Sequence, residues 1–200
     1  MSQATLSYVI RNSLYLNITD RCTLECQFCP KTQGVKQVQG YDLTLPQRPE
    51  YEDIVAAIGD PTRYEEVVFC GFGEPTLRLK VLLRVAHDIK AKGGRVRLNT
   101  DGLANLVHKR NVLPEMDGLI DAVSVSMNAH NEAIYNRHCC PALPNSYAAM
   151  LDFLRQAPAY IPQVTATAID GLEGVDIEAC RRQAQELGVQ FRSRRLNVVG

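Results

Sequence analysis

Residues 14–29 read LYLNITDRCTLECQFC, a short apolar run that leads directly into three closely spaced cysteines. The run Leu14–Ile18 is rich in residues that favour the β conformation, so it predicts a strand. Cys22, Cys26 and Cys29 follow it with the spacing C-x3-C-x2-C. Loops at the carboxyl ends of parallel strands carry the functional groups of α/β proteins, so this stretch predicts both a fold class and the position of a site.

The rest of the chain alternates short β-rich runs with longer segments of helical periodicity, a pattern typical of βα units around a parallel sheet. Five further strands are predicted, at Glu66–Cys70, Arg95–Asn99, Ala122–Met127, Val164–Ile169 and Val189–Arg192. An eight-unit barrel typically takes about 250 residues. We therefore expect a partial, open (β/α)6 TIM-like barrel, with residues 1–200 forming a single domain.

The segments between these strands carry sequence patterns that predict helices. Pro75–Lys92 carries apolar residues at helical spacing and stops at two glycines, which predicts a helix. Ser146 and Asp176 are predicted N-caps of two later helices. The long irregular segment is Pro30–Pro49, and because it directly follows the cysteines we expect it to wrap the site.

The composition of the chain argues against several classes of protein. The chain has 22 basic and 22 acidic side chains and a pI near 6.9, so no global positive charge draws it to nucleic acid or acidic membranes. No run approaches the roughly 18 to 20 apolar residues of a membrane span, and the first residues do not resemble an export signal. Seven cysteines, with three inside eight residues, fit a disulfide framework poorly. We expect a cytoplasmic, membrane-free protein whose cysteines are ligands.

The cysteine triplet predicts a metal centre that performs chemistry. Thiolates are soft ligands for iron–sulfur clusters or zinc, and a cubane cluster takes one ligand per iron. Three local cysteines leave one iron of a [4Fe–4S] cluster without a protein ligand, which is how catalytic metal centres keep a position open. The alternatives are a structural zinc loop completed by a distant Cys or His, and a non-catalytic electron-transfer module.

At these residues the sequence resembles the radical S-adenosylmethionine (SAM) superfamily, whose signature is C-x3-C-x-aromatic-C, with Phe28 in the aromatic place. The resemblance implies that the open iron binds SAM and that an electron from the cluster cleaves it. The product is a 5′-deoxyadenosyl radical that abstracts hydrogen from a substrate. The resemblance also implies that Phe28 lies near the adenine, whereas the pattern alone equally fits a core aromatic.

The later strand ends are similar to family motifs as well. The stretch CGFGEP, residues 70–75, resembles the family's GGEP motif, although Phe72 replaces the first glycine. The resemblance implies that Gly73 and Glu74 contact the methionine amino group of SAM. It assigns Asn99 and Ser126 to the ribose hydroxyls. Asn128 and Arg137 are assigned to the SAM carboxylate, and the alternative for such residues is local capping or a solvated helix face.

The resemblance covers nearly the whole chain and is greatest to the small radical SAM proteins associated with TatD-type nucleases. It implies a flavodoxin- or ferredoxin-type electron donor and raises a TatD-like protein as a possible partner. A small-molecule substrate is favoured. The alternative is an activase that forms a glycyl radical on a partner protein, but activases often carry extra iron–sulfur motifs that this sequence lacks.

Some polar residues remain outside this scheme. A second metal site is disfavoured because its candidate residues show no regular ligand spacing; these are Cys70, His130, His138, Cys139, Cys140 and Cys180. The basic run Arg192–Arg195 is predicted to follow the last strand. It is read as a solvated terminus, with binding of an anionic substrate as the alternative.

Overall fold

The fold is described for residues 4–196 of a computed structural model. The strands are β1 (Ser7–Ile10), β2 (Ser13–Leu16), β3 (Gln37–Val38), β4 (Tyr41–Asp42), β5 (Glu66–Phe69), β6 (Val96–Thr100), β7 (Ala122–Ser126), β8 (Gln163–Asp170) and β9 (Gln190–Arg195). The helices are α1 (Tyr51–Ile58), α2 (Leu79–Ala91), α3 (Ala104–His108), α4 (Glu132–Cys139), α5 (Ser146–Gln156) and α6 (Ile177–Glu186).

Seven strands form one sheet in the order β1-β2-β5-β6-β7-β8-β9, and β3 pairs with β4 in a separate hairpin. Within the seven-stranded sheet, β2, β5, β6, β7, β8 and β9 are all parallel to their neighbours in this series. The edge strand β1 runs antiparallel to β2. At least one helix lies in each crossover between the parallel strands. Within residues 4–196 β9 pairs only with β8, so the sheet is not closed. The predicted partial (β/α)6 barrel is confirmed.

Successive side chains of each strand point to opposite faces of the sheet. One face packs against the helices and forms the main core; in β5 and β6 it carries Val67, Phe69, Val96 and Leu98. The opposite face lines the inside of the open barrel, which we call the lumen. It carries more polar side chains, namely Tyr15, Arg97, Asn99, Ser124, Ser126, Thr165 and Thr167. The polar side chains that could bind a ligand therefore lie inside the barrel, and the helix-facing side of the sheet is apolar.

All six predicted strands are present, with ends that differ from the predicted ones by at most three residues. The antiparallel strand β1 was not predicted, because its turn to β2 lacks glycine and instead places Arg11 in the left-handed region, at φ 55°. The prediction that Arg192–Arg195 follows the last strand is wrong. Cross-strand bonds to β8 extend β9 through Arg195 although five of its six residues are charged or polar.

The predicted helices are also present. The predicted Pro75–Lys92 helix begins with a 3-10 turn and continues as α2. Asp176 caps α6 by accepting a hydrogen bond from the Ala179 N–H, as predicted. Ser146 is not a cap: it is the first residue of α5, preceded by Asn145, and its hydroxyl donates to the Leu143 carbonyl at 2.8 Å.

The segment after the cysteines, Pro30–Pro49, contains the hairpin of β3 and β4 and packs against the lumen face of β1. Its Val38 and Leu43 form a small apolar cluster with Tyr8 of β1. The Asn17 side chain, directly after β2, donates to the Leu43 carbonyl at 2.9 Å. Among residues 4–196, none of the helices has the length and apolarity that crossing a membrane requires.

Candidate functional site

The cysteine loop lies at the carboxyl end of β2 and is held against the end of α4 by backbone hydrogen bonds. The Glu25 N–H donates to the Cys139 carbonyl at 3.1 Å, and the Gln27 N–H donates to the His138 carbonyl at 2.9 Å. In the other direction, the Ala142 N–H donates to the Thr23 carbonyl at 3.0 Å. These three hydrogen bonds fix the position of the cysteine loop relative to α4.

The three cysteines have free thiols within electrostatic range of one another. Desolvation and the nearby carboxyl of Asp101 raise the pKa of Cys22 to about 12. The pKa of Cys26 is raised by a hydrogen bond with the Cys139 thiol and by desolvation. Thiols with raised pKa values hold their protons until a cation replaces them, so metal binding here is coupled to proton release.

The spacing of the thiols also bears on the type of centre. Within the described part of the chain, no three Cys, His or carboxylate side chains are grouped tightly enough to hold one metal ion. A cubane cluster takes its protein ligands on different irons, so its thiolates need not converge on one point.

Cys139, which the sequence analysis considered only for a disfavoured second metal site, is a buried partner of the cysteine loop. Its thiol interacts with that of Cys26, and the Asn128 side-chain amide points at its sulfur from 3.6 Å. The neighbouring Cys140 is turned away by its left-handed backbone, at φ 46°, and its thiol lies 3.5 Å from the Arg137 carbonyl. Only the fold distinguishes these adjacent cysteines, because nothing in the sequence sets them apart.

The loop after β5 packs directly on the cysteine loop at Gly73. A Cβ atom on Gly73 would lie 2.4 Å from the Arg21 carbonyl oxygen and 2.5 Å from that of Thr19. The next residue, Glu74, donates its backbone N–H to the same Arg21 carbonyl at 2.7 Å. Glycine is required at Gly73 because two backbone segments meet there.

The Glu74 carboxyl group is buried and fully engaged inside the protein. One oxygen accepts from the Thr76 N–H at 3.0 Å and from the Thr100 hydroxyl at 2.9 Å. The other accepts from the Asp101 N–H at 2.8 Å. The side chain thus connects the loops after β5 and β6. Because the Glu74 backbone N–H and carbonyl are bonded to Arg21 and Leu77, the Gly73 backbone is the part of this motif that is left for a ligand.

Asp101 extends this connection to the cysteine loop. Its carboxylate accepts from the Thr23 hydroxyl at 2.5 Å and from the Leu103 N–H at 2.9 Å. Burial is the main cause of the raised pKa values of both Asp101 and Glu74, and the pair holds a proton to a higher pH than isolated carboxyls do. The sequence analysis missed Asp101; its signal was a charged residue directly after a strand, in NTDG.

Two asparagines near the lumen carry buried acceptor atoms that have no hydrogen-bond partner among residues 4–196. The Asn99 amide bonds to the Cys70 thiol, and its Oδ1 is one of these atoms. The Oδ1 of Asn128 is the other. Buried polar atoms are normally paired, so these two acceptors are suited to donors of a bound ligand. Ser126, half-buried at the end of β7, lies beside Thr167 of β8.

The last two predicted contacts lie at the edges of this site. Phe28 is half-buried and packs against the main core, so the structure supports the core role without testing a contact with adenine. Arg137 is exposed on α4, whose buried face carries Tyr135, His138 and Cys139. Their roles toward SAM stay predictions.

Comparison with known proteins gives the family. Residues 16–185 match the sequence profile of the Radical SAM superfamily. The chain belongs to the radical SAM superfamily. This membership confirms a radical SAM enzyme, and members of the superfamily bind a [4Fe–4S] cluster and SAM. The match begins in β2 and includes the cysteine loop and the strand ends described above.

Individual relatives agree with the assignment. GTP 3′,8-cyclase of Geobacter sulfurreducens is 32% identical over 108 residues, covering 52% of this chain and 29% of that protein. Streptococcus suis SuiB, solved bound to S-adenosylmethionine, has a TM-score of 0.68 at 10% identity, covering 95% of this radical SAM chain and 42% of SuiB. HydG, a maturase of the [FeFe]-hydrogenase, has a TM-score of 0.60 at 17% identity. The match covers 94% of this chain and 43% of HydG.

Methylornithine synthase (PylB) has a TM-score of 0.56 at 14% identity, with 92% of this chain and 53% of PylB covered. At such identities the solved structures share the fold with this radical SAM protein and nothing finer. The chain spans about 30% of the length of the cyclase and about half or less of each solved relative.

Proposed function

We propose that the chain binds a [4Fe–4S] cluster through Cys22, Cys26 and Cys29 and uses it with SAM to abstract hydrogen from a small-molecule substrate. The observation that carries the proposal is the position of the three free thiols. They lie on one anchored loop at the carboxyl end of a parallel sheet, near buried acceptors without partners. Soft donors in this number suit a cubane with one open iron.

When bound, the cluster and SAM supply a 5′-deoxyadenosyl radical; the protein supplies position and exclusion of water. The orphan Oδ1 of Asn99 is suited to accept from a ribose hydroxyl, and Ser126 lies on the same face of the sheet. The Asn128 amide, turned about its terminal bond, presents Nδ2, the donor that a carboxylate takes. Arg137 would have to reach this group from the exposed side of α4.

At this motif the Gly73 backbone would contact the SAM amino group. The Glu74 carboxyl is already bonded to Thr76, Thr100 and Asp101, and the Glu74 backbone N–H is bonded to the Arg21 carbonyl. The carboxyl instead acts as a positioning group: through Asp101 and Thr23 it fixes the residue next to Cys22. Phe28 would lie against the adenine from the edge of the main core.

Several finer assignments accompany this proposal. We propose a single radical SAM core domain over residues 1–200, of the TatD-associated subgroup, with a flavodoxin- or ferredoxin-type electron donor and a TatD-like protein as a candidate partner. A cytoplasmic location is consistent with the seven free thiols. Sequence phrases shared with that subgroup support these assignments.

The test is anaerobic reconstitution with iron, sulfide, SAM and a strong reductant. Wild-type protein is expected to show cubane absorption and EPR signals and to form 5′-deoxyadenosine. Cys26→Ala is expected to lower 5′-deoxyadenosine formation at least 100-fold, because the cluster loses one of its three ligands. Cys140→Ser is the matched control, since that thiol is turned away from the loop.

Formation of a cubane and of 5′-deoxyadenosine at the wild-type rate in Cys26→Ala would contradict the ligand assignment. A mononuclear zinc or iron species in the wild type, with no cubane, would favour the structural metal loop instead.

A further inference from the structure

The last described strand points two arginines into the lumen. In β9 the Phe191 side chain packs against the main core, and the Arg181 guanidinium of α6 lies 5.0 Å from the centre of its ring. Phe191 therefore faces the helices. Because side chains alternate along a strand, Arg192 and Arg194 lie on the opposite face. Their neighbours in the register, Thr167 and Ile169, are the lumen-facing residues of β8.

The electrostatic neighbours of the two arginines place them beside the proposed cofactor site. Arg192 interacts with Tyr15 of β2, across the open barrel. Arg194 interacts with the thiols of Cys70 and Cys26, the second of which is a proposed cluster ligand. Although both arginines are exposed by surface area, the concave lumen desolvates Arg194 enough to lower its pKa, with a smaller contribution from Arg192.

Among residues 4–196, neither arginine forms an ion pair with a carboxylate. Glu66 lies on the same face of the sheet but is engaged by Arg97, at 2.7 Å, and by Arg95, at 3.8 Å. Two guanidinium groups two residues apart start about 7 Å from each other along the strand and repel. A bound anion relieves this repulsion.

We propose that Arg192 and Arg194 bind an oxyanion group, a carboxylate or a phosphate, of a small substrate. Paired guanidinium groups match the geometry of such oxyanions and bind them through two parallel hydrogen bonds. An anion held there lies within electrostatic range of Cys26, a proposed cluster ligand, and so near the group from which the radical would come. That the bound anion is a substrate rests on the proposed function; that the arginines bind an anion does not.

The experiment measures anion binding to the full-length chain without cluster or SAM, so that it is independent of the test with Cys26→Ala. Inorganic phosphate and succinate are titrated separately at low ionic strength while the arginine Nε–Hε resonances are followed by NMR. The variants are the double substitution R192Q/R194Q, the charge-preserving R192K/R194K, and R195Q. Arg195 is the matched control because it lies on the same strand but on the opposite face.

The proposal expects at least one of the two anions to bind, with R192Q/R194Q weakening binding tenfold or more. R195Q is expected to change binding less than twofold, and R192K/R194K to fall between the two because ammonium groups lose the bidentate geometry. The anion that binds more tightly identifies the group as phosphate or carboxylate. Absence of saturable binding to the wild type, or equal losses in R195Q and R192Q/R194Q, would overturn the proposal.

Discussion

Two sides of the barrel mouth differ in how their polar groups are used. On the cysteine side, which comprises the cysteine loop and the loops after β5 and β6, the buried carboxyl groups of Glu74 and Asp101 accept hydrogen bonds from neighbouring loops. On the open edge, which comprises β8 and β9, Arg192 and Arg194 are exposed and have no ion pair in the described structure.

This difference separates two tasks. A group that holds a cofactor in one position benefits from neighbours that are already fixed, since less ordering is then needed on binding. Charges without partners, in contrast, are free to take a ligand. We infer that the cysteine side is built for the cofactors common to the family and the open edge for the substrate of this chain.

The largest expected effect comes from removing the Glu74 carboxyl. Glu74→Ala leaves the buried N–H groups of Thr76 and Asp101 without acceptors, and each such loss costs about 1–3 kcal/mol. We expect the free energy of unfolding, measured with urea at pH 7, to fall by about 3–5 kcal/mol. Asp170→Ala, on the exposed end of β8, should change it by no more than about 0.5 kcal/mol. Equal losses would remove the distinction between the two sides.

A smaller loss is expected from Gly73→Ala. The added Cβ meets two backbone carbonyls that cannot move independently of the cysteine loop. We expect a loss of about 2–3 kcal/mol in the free energy of unfolding. Less iron and sulfide should be bound per chain after reconstitution.

The control is Gly171→Ala, at the open edge. Among residues 4–196 its Cβ would meet only Leu196 Cβ, at 3.5 Å, so the cost is about 1–2 kcal/mol from its positive φ of 99°. Cluster content should remain at the wild-type value. The comparison fails if Gly171→Ala lowers cluster content as much as Gly73→Ala does.

The smallest expected effect is that of Glu74→Gln on the pH dependence of the free energy of unfolding. Between the unperturbed pKa of a glutamate, 4.5, and the raised value in the fold, folded protein binds more protons at Glu74 than unfolded protein does. Stability therefore decreases as pH rises through this window. Glu74→Gln removes this titration and should flatten the decline, by at most about 1.4 kcal/mol per pH unit for one proton.

Urea unfolding of the apoprotein from pH 5 to pH 9 measures this slope. Glu173→Gln, which changes an exposed glutamate near the open edge, should leave it as in the wild type. An unchanged slope in Glu74→Gln would mean that the buried pair does not carry the pH dependence.

Local sequence patterns were enough to predict the fold class, and they also predict a cofactor site at the cysteine loop. Strand periodicity is local, so Glu66–Cys70 and Ala122–Met127 were predicted nearly to their ends. The C-x3-C-x2-C spacing is local too, and it puts three thiols on one loop. The confirmed family and cofactors follow from those residues.

The contacts between side chains that are distant in sequence could be read only from the folded structure. Thr23 and Asp101 lie 78 residues apart, and Cys139 reaches Cys26 only because α4 ends beside the cysteine loop. The glutamate of the GFGEP motif was assigned to SAM, but the fold turns its carboxyl inward. The direction of Arg192 and Arg194 depends on the register of β9 with β8. Such contacts depend on the relative positions of distant segments, which packing of the main core and strand pairing fix and local sequence patterns do not contain.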